Sequence, residues 1–400
     1  MERNGHPVRL LIVANVAAMF RDFLNPFGAH FRAKGWRVDA VASDISGSPE
    51  CRGVFDHVWD VNWSRNPFTL ANLTNAPRTV RKIVQEAGYE LVHVHTPVPA
   101  FVTRYAFSGL TNGSRPKLIY TAHGFHFHPH GSAWKNQAFL SLERTAGRWT
   151  DYLVVINRID EEYAKSYRLV PQEKIVYMPG IGLNRAFYRP EMVSQTEVHR
   201  IGDELGLGAN EPIILMIAEF TPGKRHRDAL KAFARLGSAR AHLVLAGEGP
   251  LLDATRKFAI ELGVSNKVHF LGFRRDITAL MRSSTLSVLP SEREGLPKSI
   301  MEALCMELPV VGTDIRGIQD LLGGGAGLLV PLGDTNRLAE AMRWVLEYPE
   351  QAKAMARAGR ARIEQHYDLD HILRLHEELY ERALSGTFSA HPRTRERALE

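Results

Sequence analysis

Two cysteines in 400 residues leave no basis for a disulfide framework or a cysteine-rich metal ribbon. Cys51 and Cys305 sit in unrelated contexts, which fits a reducing compartment. No window holds about 18 consecutive apolar residues, so no membrane-spanning helix is expected. The polar start Met1-Glu2-Arg3-Asn4-Gly5-His6-Pro7 leads into an apolar run too short and wrongly flanked for a signal peptide, so a cytoplasmic location is expected. Without an export signal, the sequons Asn72-Leu73-Thr74 and Asn112-Gly113-Ser114 read as chance. The first strand is not followed by Gly-x-Gly-x-x-Gly, and there is no Gly-x4-Gly-Lys-Thr. A dinucleotide site of the usual kind and a Walker loop are both excluded.

What is present describes a soluble globular chain: 44% hydrophobic and 24% charged residues, long enough for two domains. The net charge of +6 is uneven. Residues 1–185 hold 22 Lys+Arg against 15 Asp+Glu, and the rest hold 28 against 29. A basic front half suits an anionic partner, and phosphate, a membrane surface or nucleic acid would each satisfy charge alone.

The front half alternates strands and helices. Strands are expected at Val8–Ala14, Trp36–Ala42, Leu91–His95, Lys117–Thr121, Tyr152–Ile156 and Lys174–Met178. Helices are expected at Phe20–Lys34 and near 77–87, 134–149 and 159–168. The region 45–76, with Phe55, Trp59, Trp63 and Arg65-Asn66-Pro67-Phe68, reads as a long loop. Such alternation gives an open parallel sheet with helices on both faces. Ligands then bind beyond the carboxyl ends of the strands. Two segments lie there, His95-Thr96-Pro97 and Ala122–His130. His123, His126, His128 and His130 admit a metal site, a stacked structural loop, or a ligand-facing His123. An extended His-x-His-x-His without a fixed carboxylate or thiolate makes a poor closed tetrahedral site. The Trp134–Trp149 helix, with Lys135, Arg144 and Arg148, suits either a core position or a membrane surface.

Met178–Asn184 reads as a turn leaving the first domain, and 185–210 as a polar connection. The expected division is 1–190, 191–367, a helix over 368–386 and a disordered tail over 387–400. The second half repeats the plan. Ile213–Ala218 reads as a buried strand, followed by Gly223-Lys224-Arg225 ahead of a helix. A point charge, a guanidinium fork and free amides at a helix start are phosphate chemistry. Strands follow at His242–Ala246 and Lys267–Leu271, with the turns Gly247-Glu248-Gly249-Pro250 and Gly272–Ile277 behind them. The run Gly323-Gly324-Gly325 reads as a loop, and Asp368-Leu369-Asp370 as a helix cap rather than a metal motif.

The apolar strand Leu286–Leu289 leads into Ser291–Glu302. Glu294 falls in the strand-to-helix loop and Glu302 on the helix whose first turn Pro297 is expected to occupy. Eight residues of helix rise about 12 Å, too far for two carboxylates to share a proton but suited to two hydroxyl-rich ends of one ligand.

Glu294 to Glu302, with Gly295 after the first and Ala303 after the second, resembles the E-x7-E motif of retaining glycosyltransferases of family 4. His95-Thr96-Pro97 and Tyr120–His126 resemble the members that build capsular and exopolysaccharides. The Gly247–Pro250 turn and the 268–277 segment are similar to further landmarks, and the resemblance spans about residues 8–385. It implies an α/β GT-B fold: two Rossmann-like domains with parallel sheets facing across a cleft, and a C-terminal helix crossing back to the first. It implies transfer of a sugar from a nucleotide-sugar, UDP-linked, to a glycan or a lipid-diphosphate-linked sugar at the inner membrane face. Catalytic roles fall on His123 and Glu294. Donor binding falls on Lys224, Arg225, Phe273, Arg274, Gly295, Leu296, Pro297 and Glu302, with Glu302 on the ribose. No metal or other cofactor is expected, and no nucleic acid. The chain departs from the family at Asn15-Val16-Ala17-Ala18, where a Gly-Gly pair is frequent. It departs again at Glu219, where many members have Arg and for which Arg225 would substitute. Other classes with the same features are a GT-B epimerase acting on UDP-N-acetylhexosamine and a non-catalytic module that binds anionic ligands.

Overall fold

A computed structural model describes residues 2–3, 6–64, 69–110, 115–128, 131–208, 211–238 and 240–386. Arg65–Phe68, His130 and the tail 387–400 lie outside the described residues. The chain forms two compact units. The first holds the described residues up to Ile156, Asp160–Ile181 and those from Ile372 on; the second holds Asn157–Ile159 and Gly182–His371.

The first unit is built on seven parallel strands. They are β1 (Arg9–Val16), β2 (Arg37–Ser43), β3 (His57–Asp60), β4 (Leu91–His95), β5 (Lys117–Ala122), β6 (Tyr152–Val155) and β7 (Ile175–Tyr177). Their order is β3-β2-β1-β4-β5-β6-β7. Leu10 to Ala14 and all of β4 are buried, as continuous apolar runs of a two-faced sheet should be.

The region 45–76 is not one long loop. It holds the short helices Ile45–Gly47, Pro49–Val54 and Leu70–Leu73 as well as edge strand β3. That strand sets half-buried Val58 and Trp59 between exposed His57 and Asp60, four residues without the period-2 alternation that would mark a strand in sequence. Its aromatics are anchors: Trp59 Nε1 donates to the Tyr89 hydroxyl at 3.1 Å, and Trp63 Nε1 to the Asn15 carbonyl at 3.0 Å. The expected helix Phe20–Lys34 is broken into Ala17–Met19, a π-helical turn Phe20–Leu24 and Asn25–Ala33. Pro26 has no N–H for the Asp22 carbonyl, and the wide turn accommodates that loss. A further helix, Pro97–Phe107, begins with two prolines in its first turn, where a missing N–H costs nothing.

The second unit has six parallel strands. They are β8 (Ile213–Ile217), β9 (His242–Ala246), β10 (Val268–Gly272), β11 (Leu286–Leu289), β12 (Val310–Thr313) and β13 (Leu328–Val330). Their order is β10-β9-β8-β11-β12-β13. Both sheets reverse direction of growth beside their first strand, at β1/β4 and at β8/β11. Crevices for ligands open at the carboxyl ends of such pairs. The long helix Leu369–Ser385 belongs to the first unit from Ile372 on and buries Ile372, Leu373, His376, Leu379 and Tyr380 there.

The turn after β9 presses against the turn after β8. Gly247 and Gly249 have φ of 147° and 146°, and a Cβ on them would lie 2.1 Å from the Ala218 carbonyl oxygen and 2.7 Å from the Phe220 nitrogen. Gly249→Ala should therefore lower the unfolding free energy by about 1–3 kcal/mol in urea titrations, with the loss traced to displacement of residues 218–220.

Candidate active site

In the second unit, β8 and β11 are hydrogen-bonded neighbours. The loop after β8 ends in the 3-10 turn Pro222–Lys224, and the loop after β11 runs to the helix Lys298–Cys305. The Glu292 amide donates to the Gly223 carbonyl at 2.8 Å, tying the loops together. Lys224 Nζ then meets Glu294 Oε1 at 2.5 Å. Two residues singled out separately in the sequence are thus one ion pair, with the lysine about a quarter exposed and the carboxylate mostly buried. Among the described residues, the amides of Gly295 and Leu296 have no hydrogen-bond acceptor. A cation and two amides are gathered ahead of a helix start, where an anion is favoured. Pro297, with φ −71° and ψ 117°, is the residue before the helix rather than its first turn. Asn157, from the stretch 157–159 that packs with this unit, donates to the Gly295 carbonyl at 3.3 Å.

Glu302 is buried, with its Oε1 accepting from the Tyr188 hydroxyl at 2.5 Å and lying 3.5 Å from Lys298 Nζ. Tyr188 carried no signal in the sequence, because it sits in a polar stretch without periodicity. Gly317 was also unforeseen: a Cβ there would lie 2.0 Å from the Gly295 carbonyl oxygen. Arg293, next to Glu294, is held below the ordinary arginine value by burial and by the like charge of Arg316.

Arg225 takes a left-handed conformation, φ 54°, and its Nε bonds Asp228 at 2.6 Å. With His226, Arg227 and Lys231 it lines a cavity of about 310 Å³ to which Lys224 does not contribute. Phe273 stands exposed past β10. The Arg274 guanidinium is taken up by Asp276, at 2.8 and 2.7 Å, and by Glu204, which together raise its pKa.

In the first unit, the ends of β4 and β5 bring His95 and His123 together, with Nδ1 of the one 3.0 Å from Nε2 of the other. The His93 ring lies tilted against His95 with centroids 4.2 Å apart, and it bonds the Tyr380 hydroxyl at 2.5 Å and Thr121 at 2.7 Å. His376 lies 5.6 Å from His93. Burial, reinforced by neighbouring imidazoles, holds His93 and His95 well below the ordinary histidine value and His123 at about 4. Burial alone takes His376 to about 4. His126 turns instead to the Phe139 ring at 5.2 Å. Among the described residues, no group of three or more His, Cys, Asp or Glu side chains could hold a metal ion.

Residues 23–180 match the family described as Glycosyl transferase 4-like domain, and residues 199–362 the family Glycosyl transferases group 1. The chain is 31% identical over 356 residues to EpsD of Bacillus subtilis, described as a glycosyltransferase, covering 88% of this chain and 91% of that one. The protein belongs to glycosyltransferase family 4. This glycosyltransferase is also 25% identical to the UDP-Gal:alpha-D-GlcNAc-diphosphoundecaprenol alpha-1,3-galactosyltransferase of Escherichia coli, over 65% of its own length and 67% of the relative's. Its GT-B fold is shared with Anabaena Alr3699/HepE, solved in complex with UDP-glucose, at a TM-score of 0.77 and 19% identity, covering 93% of this chain and 99% of that one.

Two outcomes follow from this geometry. Tyr188→Phe removes a hydrogen bond from a buried carboxylate and should cost about 1–3 kcal/mol of stability in chemical denaturation. The buried histidines bind protons more weakly folded than unfolded. Their contribution is full above pH 6.5 and is lost as pH falls from 6.5 toward about 4. Urea titrations across that window should show stability falling with acid at up to about 1.4 kcal/mol per pH unit for each such histidine.

Proposed function

We propose that this glycosyltransferase moves a sugar from a UDP-sugar to a glycan or lipid-diphosphate-linked sugar, with retention at the anomeric carbon, in polysaccharide biosynthesis. The observation that carries the reading is the Lys224–Glu294 pair at the β8/β11 switch point, in one loop system with the open amides of Gly295 and Leu296. Without ligand, cation and carboxylate satisfy each other. A bound diphosphate gives Lys224 a better partner and releases Glu294 to accept from sugar hydroxyls. Glu302, held at one oxygen by Tyr188, is assigned the ribose hydroxyls. His123 is assigned a hydroxyl of the reacting sugar.

The reaction breaks the bond from the anomeric carbon to the phosphate oxygen, and the electron pair leaves with the diphosphate. The acceptor oxygen bonds the same carbon and passes its proton to the departing phosphate. The charge that develops on the leaving group is assigned to Lys224 and loop amides rather than to a metal. The excess of basic residues over 1–185 favours an anionic acceptor such as a lipid diphosphate. Exposed Trp134 beside Lys135, at the start of the helix Ala133–Gly147, supports contact with the cytoplasmic face of a membrane. The UDP-sugar complex of the Anabaena relative and the diphosphoundecaprenol acceptor in the name of the Escherichia coli relative support the same choice of substrates.

The test is turnover and thermal stabilisation with UDP-, GDP- and ADP-sugars. UDP-sugars should raise the melting temperature and be consumed with an acceptor present. Lys224→Ala should reduce kcat/KM by about 100-fold or more, the loss expected for a charge-assisted contact in the transition state, while the ligand-free melting temperature falls by only a few degrees as Glu294 loses its partner and the fold is retained. Full activity in Lys224→Ala, or conversion of the UDP-sugar to its epimer without acceptor, would overturn the reading.

A further inference from the structure

Strands β4 and β5 run side by side, with His95 opposite Thr121 across the ladder. Their carboxyl ends deliver His95 and His123 to one place, joined Nδ1 to Nε2 at 3.0 Å. Behind them His93 is held at both ring nitrogens, by Tyr380 and Thr121. His376 donates from Nδ1 to the Ile372 carbonyl at 2.8 Å. Imidazoles packed this closely away from water repel one another's charge, so each is neutral and carries one N–H.

The tautomers follow from that count. A bond between two neutral imidazoles needs one N–H and one lone pair. If His95 Nδ1 donated, both rings would be in the Nδ1–H form. If His123 Nε2 donates, both are in the Nε2–H form, which the free side chain prefers. We infer that His95 is a positioning residue: it accepts from His123 Nε2–H and leaves His123 Nδ1 as a fixed lone pair for a hydroxyl of the bound sugar. The sugar hydroxyl rests on the proposed role of His123; the tautomer does not.

A second feature holds His95 in place. Thr96 has φ 66° and ψ 143°, a region that a β-branched side chain enters only under constraint. Its hydroxyl donates to the His95 carbonyl at 2.5 Å. The ladder of β4 on one side and the proline-started helix Pro97–Phe107 on the other fix the turn, and with it the direction of the His95 ring.

The experiment uses the full chain labelled with ¹⁵N-histidine. Long-range proton–nitrogen spectra are recorded, and the His123 signals are assigned by their loss in His123→Ala. Wild-type His123 should show a protonated Nε2 and an unprotonated Nδ1. In His95→Asn the amide oxygen can still accept, so the tautomer should persist with kcat within about threefold of wild type. His95→Phe should lose the single tautomer and about tenfold or more in kcat, with donor KM within about twofold. An Nδ1–H tautomer in the wild type, an unchanged His123 spectrum in His95→Phe, or equal impairment of the Asn and Phe variants would overturn the inference. Full activity in His123→Ala with the expected spectra would remove the role proposed for His123 while leaving the tautomer assignment in place.

Discussion

The salt bridge between Lys224 and Glu294 exists because two parallel strands far apart in sequence are hydrogen-bonded neighbours. Parallel pairing puts both carboxyl ends on one edge of the sheet. Each strand then releases its chain into a loop that must start a helix, so cations, carboxylates and open amides collect at that edge. In the proposed function, this pair is what a ligand with both an anionic and a hydroxyl-rich part would displace. Neither charge is left bare in the partly buried loop, and each has a partner it can exchange.

The first unit uses the same strand plan but fills the edge differently. Its switch-point neighbours end in neutral histidines, which satisfy one another and the hydroxyls of Thr121 and Tyr380. Burial keeps them uncharged, so this edge offers hydrogen bonds where the other offers charge. One strand order therefore supports two chemistries, decided by a handful of residues past the strand ends.

Much of this was readable beforehand. The parallel sheets follow from long apolar runs separated by helical patterns, and Lys224, Glu294 and Glu302 stand out by loop position and spacing. Strand β3 did not, because its four residues lack the alternation that marks a strand. The helix Pro97–Phe107 was hidden by prolines that usually end helices and here begin one. Tyr188, Gly317, His376 and Tyr380 matter through partners more than twenty residues away, and no local pattern marks them. The histidine-rich loop shows the limit from the other side: its residues looked like a set, but His123 turns to His95 and His126 to Phe139.

The hydrogen bond between Tyr380 and His93 spans 287 positions of sequence. The core of the first unit is therefore open until the chain has been synthesised past residue 380. Its sheet can pair early, but the buried face that receives His376 and Tyr380 must wait while the second unit is synthesised and closes. Such long-range closure slows folding and leaves apolar surface exposed to chaperones in the interval. The first half of this chain is the last to finish.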